Sequence, residues 1–295
     1  CVIPAPDEIV ELPPYSKLFF LPDTKPIGYD PLEDEFVVLD EIDIEGDRIK
    51  CFGVSAFMKP GFARLYLPGV DYSNKKEDFP LWAYTAVGAG ENGKYYVSAF
   101  PVEINYKWDP ANYDDRILLP EVEKLEKEFP RNRLLHHLKR CATEYHCFAG
   151  KNLFLRRWEA PLPVASACNS RCLGCLSLQS GKNICASHDR IDFTPTVNEI
   201  VELAVPHLNF AEEGMVSFGQ GCEGEPLTQT DLIADCIKEI RKKTGKGTIN
   251  INTNGSQPHN LLRIIKAGLN SVRVSINSIL PDIYNAYYKP VNYNF

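Results

Sequence analysis

The feature that most constrains the fold is a repeated alternation of strand-like and helix-like segments in the C-terminal half of the chain. Repeated β-loop-α units are typical of a parallel sheet that carries its functional residues at the carboxyl ends of the strands. We therefore predict an α/β domain over residues 154–295. The four apolar segments, each ending in a loop of small or polar residues, are Leu162–Ala167, Met215–Phe218, Thr248–Ile251 and Val272–Ile276. The helical segments between them are Thr196–His207, which opens with a Thr196/Glu199 capping box, Asp231–Lys243, and Asn260–Ala267, which ends at Gly268.

The first 153 residues have a different pattern. Residues 1–118 are rich in Pro, Gly and aromatic residues, which indicates a smaller, mostly-β domain. Residues 119–153 have helical periodicity with a break near Pro130, which indicates a helical connector. The strand-like runs of the first domain are Glu35–Leu39, Arg48–Phe57, Ala63–Leu67, Leu81–Val87 and Lys94–Phe100.

One short motif in the first domain matches a dinucleotide-binding fingerprint. Residues 88–93 read G-x-G-x-x-G, a pattern that requires a helix to follow it. The next residues, Lys94–Phe100, have strand character, and Asn92-Gly93 is a typical hairpin turn pair. We therefore predict a β-hairpin rather than a nucleotide site.

Composition narrows the class of protein. The formal net charge is −7, which disfavours nucleic acid as a substrate, and 44% of residues are hydrophobic, as in ordinary globular proteins. The sequence contains no run of about 18 apolar residues and no signal peptide pattern, so we expect a cytoplasmic protein without a membrane segment. Because the chain begins at Cys1 and stops at Phe295 near the start of a helix, we expect it to be incomplete at both ends.

Three cysteines in the loop after the first apolar segment are the strongest candidate metal ligands. Cys168, Cys172 and Cys175 have the spacing C-x3-C-x2-C. A 4Fe-4S cluster usually has four cysteine ligands, so three thiolates would leave one iron open to a non-protein ligand. The alternative is a structural zinc or rubredoxin-like site that takes Cys185 or His188 as its fourth ligand.

The remaining cysteines have irregular spacing. Cys141, Cys147, Cys185 and Cys222 could belong to an auxiliary cluster, but the interpretation as buried thiols is favoured. Cys236 lies on the apolar face of a predicted helix, so we expect it in the core. His136 and His137 are adjacent and would point to different sides of a helix, which favours surface or core roles over shared metal ligation.

The cysteine triplet together with three downstream motifs resembles the radical S-adenosylmethionine (radical SAM) superfamily. Gly224-Glu225-Pro226 resembles the family's Gly-Gly-Glu-Pro motif, with Glu223 in place of one glycine. Thr253-Asn254-Gly255 resembles the family's Thr-Asn-Gly turn, and Ser271–Asn277 resembles the strand whose polar side chains face the ligand. The resemblance covers residues 154–295 and implies a partial (β/α) barrel of which only the first four βα units are present.

The resemblance also implies cofactors, a mechanism and partners. It implies a 4Fe-4S cluster on Cys168, Cys172 and Cys175 and reductive cleavage of S-adenosylmethionine to a 5′-deoxyadenosyl radical that abstracts hydrogen from an unidentified small-molecule or peptide substrate. A flavodoxin-type or ferredoxin-type protein would supply the electron. The residues implied to contact S-adenosylmethionine are Gly221, Gly224, Glu225, Pro226, Asn252, Thr253, Asn254, Ser275 and Asn277.

Two points remain open at this stage. Family members often have an aromatic residue before the last cysteine, whereas this chain has Gly174, so Leu173, Leu176 or another residue would have to contact the adenine. The aromatic group Tyr284, Tyr287 and Tyr288 could line a pocket or serve packing.

The alternative function is a non-catalytic iron-sulfur or zinc-binding module with an electron-transfer or structural role.

Overall fold

A computed structural model of the chain describes residues 1–76, 79, 83–90, 92–179 and 185–295. The chain forms two compact units, Cys1–Asn112 and Tyr113–Phe295. The helices within residues 113–153 are part of the second unit, together with the α/β segments.

The described residues of the first unit form short strands in five small sheets, in which every pairing is antiparallel. Its buried core contains Ala56, Met58, Val97 and Ala99. Two predicted strands, Arg48–Phe57 and Lys94–Phe100, are each divided into two, and part of the predicted strand Leu81–Val87 lies outside the described residues. The strands are β1 (Val10–Glu11), β2 (Lys17–Leu21), β3 (Lys25–Asp30), β4 (Glu35–Val38), β5 (Glu41–Ile44), β6 (Asp47–Lys50), β7 (Gly53–Phe57), β8 (Phe62–Arg64), β9 (Val70–Asp71), β10 (Val87–Ala89), β11 (Tyr95–Val97) and β12 (Ala99–Pro101).

The G-x-G-x-x-G segment is a hairpin, as predicted. Strands β10 and β11 pair antiparallel, with Val87 opposite Val97 and Ala89 opposite Tyr95. Gly93 has a φ of 75°, which glycine adopts without strain. No helix follows the segment, since β11 and β12 come next, so it lacks the helix N-terminus that a dinucleotide phosphate requires.

The second unit begins with three helices and continues as alternating strands and helices. The predicted break near Pro130 is confirmed, since one helix ends at Glu128 and the next begins at Arg133 after the capping residue Asn132. Within the described part of the chain, no helix is both long enough and apolar enough to cross a membrane. The helices and strands are α1 (Asp115–Glu128), α2 (Arg133–Thr143), α3 (Phe148–Leu155), β13 (Arg157–Pro161), α4 (Val197–Phe210), β14 (Glu212–Phe218), α5 (Thr230–Lys243), β15 (Thr248–Thr253), α6 (Pro258–Ala267), β16 (Ser271–Val274) and α7 (Pro281–Tyr288).

The predicted parallel sheet is present. Its order is β13-β14-β15-β16, and all three pairings are parallel. Val216, Phe218, Ile249 and Ile251 are fully buried in the main hydrophobic core with the apolar faces of the helices. The four carboxyl ends of the strands therefore lie along one edge, and the described residues form an open sheet rather than a closed barrel.

The predicted position of the first strand, Leu162–Ala167, was wrong. The strand is Arg157–Pro161, and Leu162–Ala167 lies outside the parallel ladder, apart from the bond from the Leu162 N–H to the Ser217 carbonyl. Pro163 has no N–H to donate to a ladder. The N–H groups of Val164 and Ala165 donate to the Glu223 carboxylate instead. The last predicted strand also ends two residues early, at Val274.

Candidate functional site

The candidate site begins where the segment before Cys168 meets the loop that follows β14. The Gly224 N–H donates to the Ala165 carbonyl at 2.7 Å, and the Glu225 N–H donates to the Ala167 carbonyl at 3.1 Å. A Cβ atom at Gly224 would lie 2.0 Å from the Ala167 carbonyl oxygen, so this approach requires glycine. The two pairings fix the position of Cys168 beside Gly224.

The three cysteines of the loop at residues 168–175, called the cysteine loop below, are half-buried and close enough to influence one another. Burial, followed by the neighbouring Cys168 and Cys175, raises the pKa of Cys172 to about 11. Burial also raises the pKa of Cys168. Thiols must lose their protons to bind iron or zinc. A cation bound here would therefore have to offset the free-energy cost of ionising Cys168 and Cys172, and its binding would release protons.

Arg190 supports one of these thiols. Its Nη2 lies 3.3 Å from the Cys175 Sγ, and its Nε donates to the Ser177 hydroxyl at 3.2 Å. Burial acts to raise the pKa of Cys175, but the N–H groups of Ser177 and Leu178, the Ser177 hydroxyl and Arg190 outweigh it, so the pKa lies below its ordinary value. Cys175 is therefore the thiol of the three that ionises most readily.

Glu223, which stands where the family has a glycine, is a buried organising residue. One carboxylate oxygen accepts the N–H groups of Val164 at 2.8 Å and Ala165 at 3.0 Å. The other accepts the N–H groups of Gly219 and Gln220. Burial raises the pKa of Glu223 to about 7, although the four N–H donors act in the opposite direction. One side chain thus joins the loop after β14 to the segment that leads to Cys168.

Glu225 makes a corresponding connection to the end of β15. Its side chain is buried and accepts hydrogen bonds from the Leu227 N–H at 3.1 Å, the Asn254 N–H at 2.9 Å and the Thr253 hydroxyl. Both oxygens therefore have protein partners. The geometry shows Glu225 fixing the Thr253-Asn254 turn.

The same turn contacts the cysteine loop through side chains. The Asn254 Nδ2 donates to the Asn169 Oδ1 at 2.8 Å and to the Ser170 hydroxyl at 3.3 Å. The Asn169 Nδ2 donates in turn to the Ser256 hydroxyl at 2.8 Å. Because these bonds join loops from two different strands, protein contacts help to define the shape of the cysteine loop.

The sheet has a buried polar face next to these loops. Alternate residues of β15, Asn250 and Asn252, share one face, and the Asn250 Nδ2 donates to the Ser217 hydroxyl at 3.1 Å and to the Asn252 Oδ1 at 3.2 Å. The Asn252 Nδ2 is buried and has no hydrogen-bond partner among the described residues. A buried N–H donor without a partner costs free energy, and a polar ligand that accepted its hydrogen bond would remove that cost. This face therefore suits a polar ligand.

The other candidate residues are distributed around this edge. Pro226 is buried and begins a short 3₁₀ helix, Pro226–Gln229. Gly221 is exposed, and a Cβ added there would lie 3.4 Å from a Leu176 methyl carbon. Ser275 and Asn277 follow β16 with exposed side chains, and the Ser275 N–H donates to the Thr253 carbonyl at 2.9 Å.

Helix α7 packs against the cysteine loop, and its last residues fill the space beside Gly174. A Cβ at Gly174 would lie 2.6 Å from the Tyr287 hydroxyl oxygen. The carbonyls of Tyr287 and Tyr288 accept the N–H groups of Leu173 at 3.0 Å and Arg171 at 2.9 Å. An aromatic ring therefore lies next to the last cysteines even though position 174 has no side chain.

The remaining cysteines differ in burial, and Cys147, which was also predicted to be a buried thiol, is only partly buried. Cys141 and Cys222 are buried, and Cys236 is fully buried in the core of α5, as expected, where burial raises its pKa to about 12. Cys185 is exposed, so a buried thiol was the wrong prediction there. Burial lowers the pKa of His188, and the charged neighbours that also affect it are Cys141 and His137 rather than the cysteine loop.

Comparison with known proteins matches this part of the chain to one family. The model of the Radical SAM superfamily matches residues 162–294, which include the cysteine loop and all the turns described above. Residues 162–294 belong to the Radical SAM superfamily.

The chain is also similar to named proteins. Molybdenum cofactor biosynthesis protein 1 of Bos taurus is 31% identical over 163 residues, which are 55% of this chain and 23% of that protein. The protein of the same name from Mus musculus is 28% identical over 148 residues, which are 50% of this chain and 22% of that protein. The aligned part thus spans less than a quarter of the length of these curated relatives.

Several residues that organise the radical SAM domain were missed by sequence reasoning. Glu223 attracted notice only as a departure from a motif, and Asn169, Ser170 and Arg190 carried no signal. Their partners are distant in sequence, and polar residues in a loop are too common to identify without a structure.

We predict that Gly224→Ala destabilises the radical SAM domain, because the new Cβ would displace the Ala167 carbonyl and break the pairing beside Cys168. The expected loss is about 2–4 kcal/mol in the free energy of unfolding, measured by urea denaturation. Gly245→Ala is the matched control, since a Cβ there meets no atom within 4 Å. Equal stability of the two variants would contradict the close approach.

Proposed function

We propose that this chain is a radical SAM enzyme that binds a 4Fe-4S cluster through Cys168, Cys172 and Cys175 and uses it to generate a 5′-deoxyadenosyl radical from S-adenosylmethionine. The observation that carries the proposal is the way the cysteine loop is held. Backbone pairing to Gly224 and Glu225 and side-chain bonds to Asn254 bring three thiols to the same sheet edge as a buried polar face. The α/β unit would be the first part of a partial (β/α) barrel.

The three cysteine thiols fit the proposed 4Fe-4S cluster. Three thiolates are suitable ligands for an iron-sulfur cluster, and a three-cysteine set leaves one iron position for S-adenosylmethionine. Arg190 beside Cys175 would balance part of the negative charge of the thiolates. When bound, the cluster and S-adenosylmethionine would supply one-electron cleavage of the sulfonium carbon–sulfur bond.

The protein residues would bind and orient the cosubstrate and exclude water. We assign Gly224 and the turn at Thr253 and Asn254 to backbone contacts with S-adenosylmethionine, and Asn252 to a side-chain contact through its unsatisfied Nδ2. Glu225 would act by holding the turn in place, since both its oxygens already accept protein donors. Gly221, Pro226, Ser275 and Asn277 complete the proposed set at the same edge.

The reaction requires partners. We propose a flavodoxin-type or ferredoxin-type electron donor and a small-molecule or peptide substrate from which hydrogen is abstracted. Both relatives are named for molybdenum cofactor biosynthesis, but the aligned part is less than a quarter of each protein, so we propose no substrate from that name.

The proposal is tested by incubating the anaerobically reconstituted, dithionite-reduced protein with S-adenosylmethionine and measuring 5′-deoxyadenosine by liquid chromatography. We expect product from the native protein and none from Cys172→Ala, with Cys185→Ser as a control for the loss of an exposed cysteine. A cluster that forms and accepts an electron but yields no 5′-deoxyadenosine would instead support the non-catalytic iron-sulfur module. Zinc in place of iron in the cysteine loop would support a structural site.

A further inference from the structure

A second group of potential metal ligands does not include the cysteine loop. The ligand atoms of His137, Cys141 and Cys222 all lie within 4.8 Å of one another, and within the described ranges no other such group of three is present. Cys141 is 1% exposed and Cys222 is 5% exposed. The proposed radical chemistry uses none of these three side chains.

The fold brings these residues together from two separate elements. His137 and Cys141 are four residues apart on α2, so they lie on the same face of the helix. Cys222 is in the loop after β14, and its carbonyl accepts the Ile191 N–H at 2.8 Å. The carbonyl of Cys141 accepts the Cys147 N–H at 2.9 Å. The backbone at both sulfur ligands is therefore fixed.

The separation of the His137 and Cys141 ligand atoms matches that around a tetrahedral ion. A zinc ion about 2.3 Å from sulfur and about 2.0 Å from nitrogen holds those two ligand atoms roughly 3.5 Å apart. The Cys141 Sγ lies 3.7 Å from the His137 Nε2. A mixed thiolate and imidazole set is also the chemistry that suits zinc, whereas iron-sulfur clusters are mostly held by cysteines alone.

The group supplies three protein ligands. The ligand atoms that lie within 4.8 Å of one another belong to His137, Cys141 and Cys222, and His188 is not among them. A zinc ion held by three protein ligands has a fourth tetrahedral position for water.

We propose that His137, Cys141 and Cys222 bind one zinc ion that joins α2 to the loop carrying Glu223, Gly224 and Glu225. The ion would stabilise the position of that loop without taking part in the radical reaction. The site is separate from the proposed 4Fe-4S site in its ligands and in the metal it takes.

The test is metal analysis by inductively coupled plasma mass spectrometry. We expect about one zinc per chain in the full-length reconstituted protein and in the Cys168→Ala/Cys172→Ala/Cys175→Ala variant, which isolates this site from the cysteine loop. His137→Ala and Cys222→Ser are each made in the native protein and in the triple variant. They should retain less than about a tenth of that zinc. His136→Ala and Cys185→Ser are matched controls at exposed positions and should retain all of it.

A second measurement does not depend on the variants folding. Cobalt added to the zinc-stripped triple variant should give the intense visible absorption of a tetrahedral ion with thiolate ligands, and zinc should displace it. Absence of metal, iron in place of zinc, or a Cys141–Cys222 disulfide in the anaerobically purified protein would overturn the proposal.

Discussion

We expect the replacement of any one of Cys168, Cys172 or Cys175 with Ala to lower the iron-sulfur absorbance of the reconstituted protein. The absorbance at roughly 400 nm should fall below about a tenth of the native value. Each cysteine would hold a different iron, so the loss of one thiolate leaves a second iron without a protein ligand. The measurement is an anaerobic absorption spectrum together with iron and sulfide analysis per chain.

Cys236→Ala is the control for this series. Cys236 is as inaccessible as any core residue of α5, so the substitution removes a small apolar contact and no proposed ligand. We expect its absorbance to match that of the native protein. Equal loss from Cys236→Ala and from the three variants of the cysteine loop would refute the ligand assignment, because it would indicate general unfolding.

Replacing Glu223 with Gln is expected to lower the free energy of unfolding by about 3 kcal/mol. Each carboxylate oxygen accepts two backbone N–H groups, and an amide can offer only one oxygen. The amide NH₂ would face two N–H donors in a buried site. Urea denaturation at about pH 8, above the pKa of about 7, measures the effect with the native carboxylate ionised.

Glu239→Gln is the matched control for this substitution. Glu239 lies on α5 and, among the described residues, makes an exposed ion pair with Lys242, so its replacement should change the free energy of unfolding by less than about 0.5 kcal/mol. If Glu223→Gln were as stable as Glu239→Gln, the four hydrogen bonds assigned to the Glu223 carboxylate would not stabilise the fold.

The elements that sequence predicted well are those with local signals. The capping box at Thr196 and Glu199 set the start of α4, Gly268 ended α6 with a φ of 114°, and Asn92-Gly93 marked a hairpin. The apolar runs of β14 and β15 were long enough to identify buried parallel strands. Each of these signals lies within a few residues of the feature that it specifies.

The features that were missed depend on partners far along the chain. Leu162–Ala167 has strand-like composition, but Pro163 and the Glu223 carboxylate take it out of the ladder. His137 was considered with its neighbour His136, whereas its nearest metal-binding partners are Cys141, one turn along the helix, and Cys222, on another element. The four-residue spacing of His137 and Cys141 was the one sequence signal that could have indicated the second site.

The contact between α7 and the cysteine loop has a consequence for biosynthesis. The N–H groups of Arg171 and Leu173 donate to the Tyr288 and Tyr287 carbonyls, and the Asn169 carbonyl accepts the Val291 N–H. A ribosome delivers residues 168–175 long before residues 287–291, so the loop cannot reach this shape while the later part is unmade. We therefore expect loading of the proposed cluster into this geometry to be a late event in maturation, and a nascent chain stalled before α7 would carry its three cysteines without these contacts.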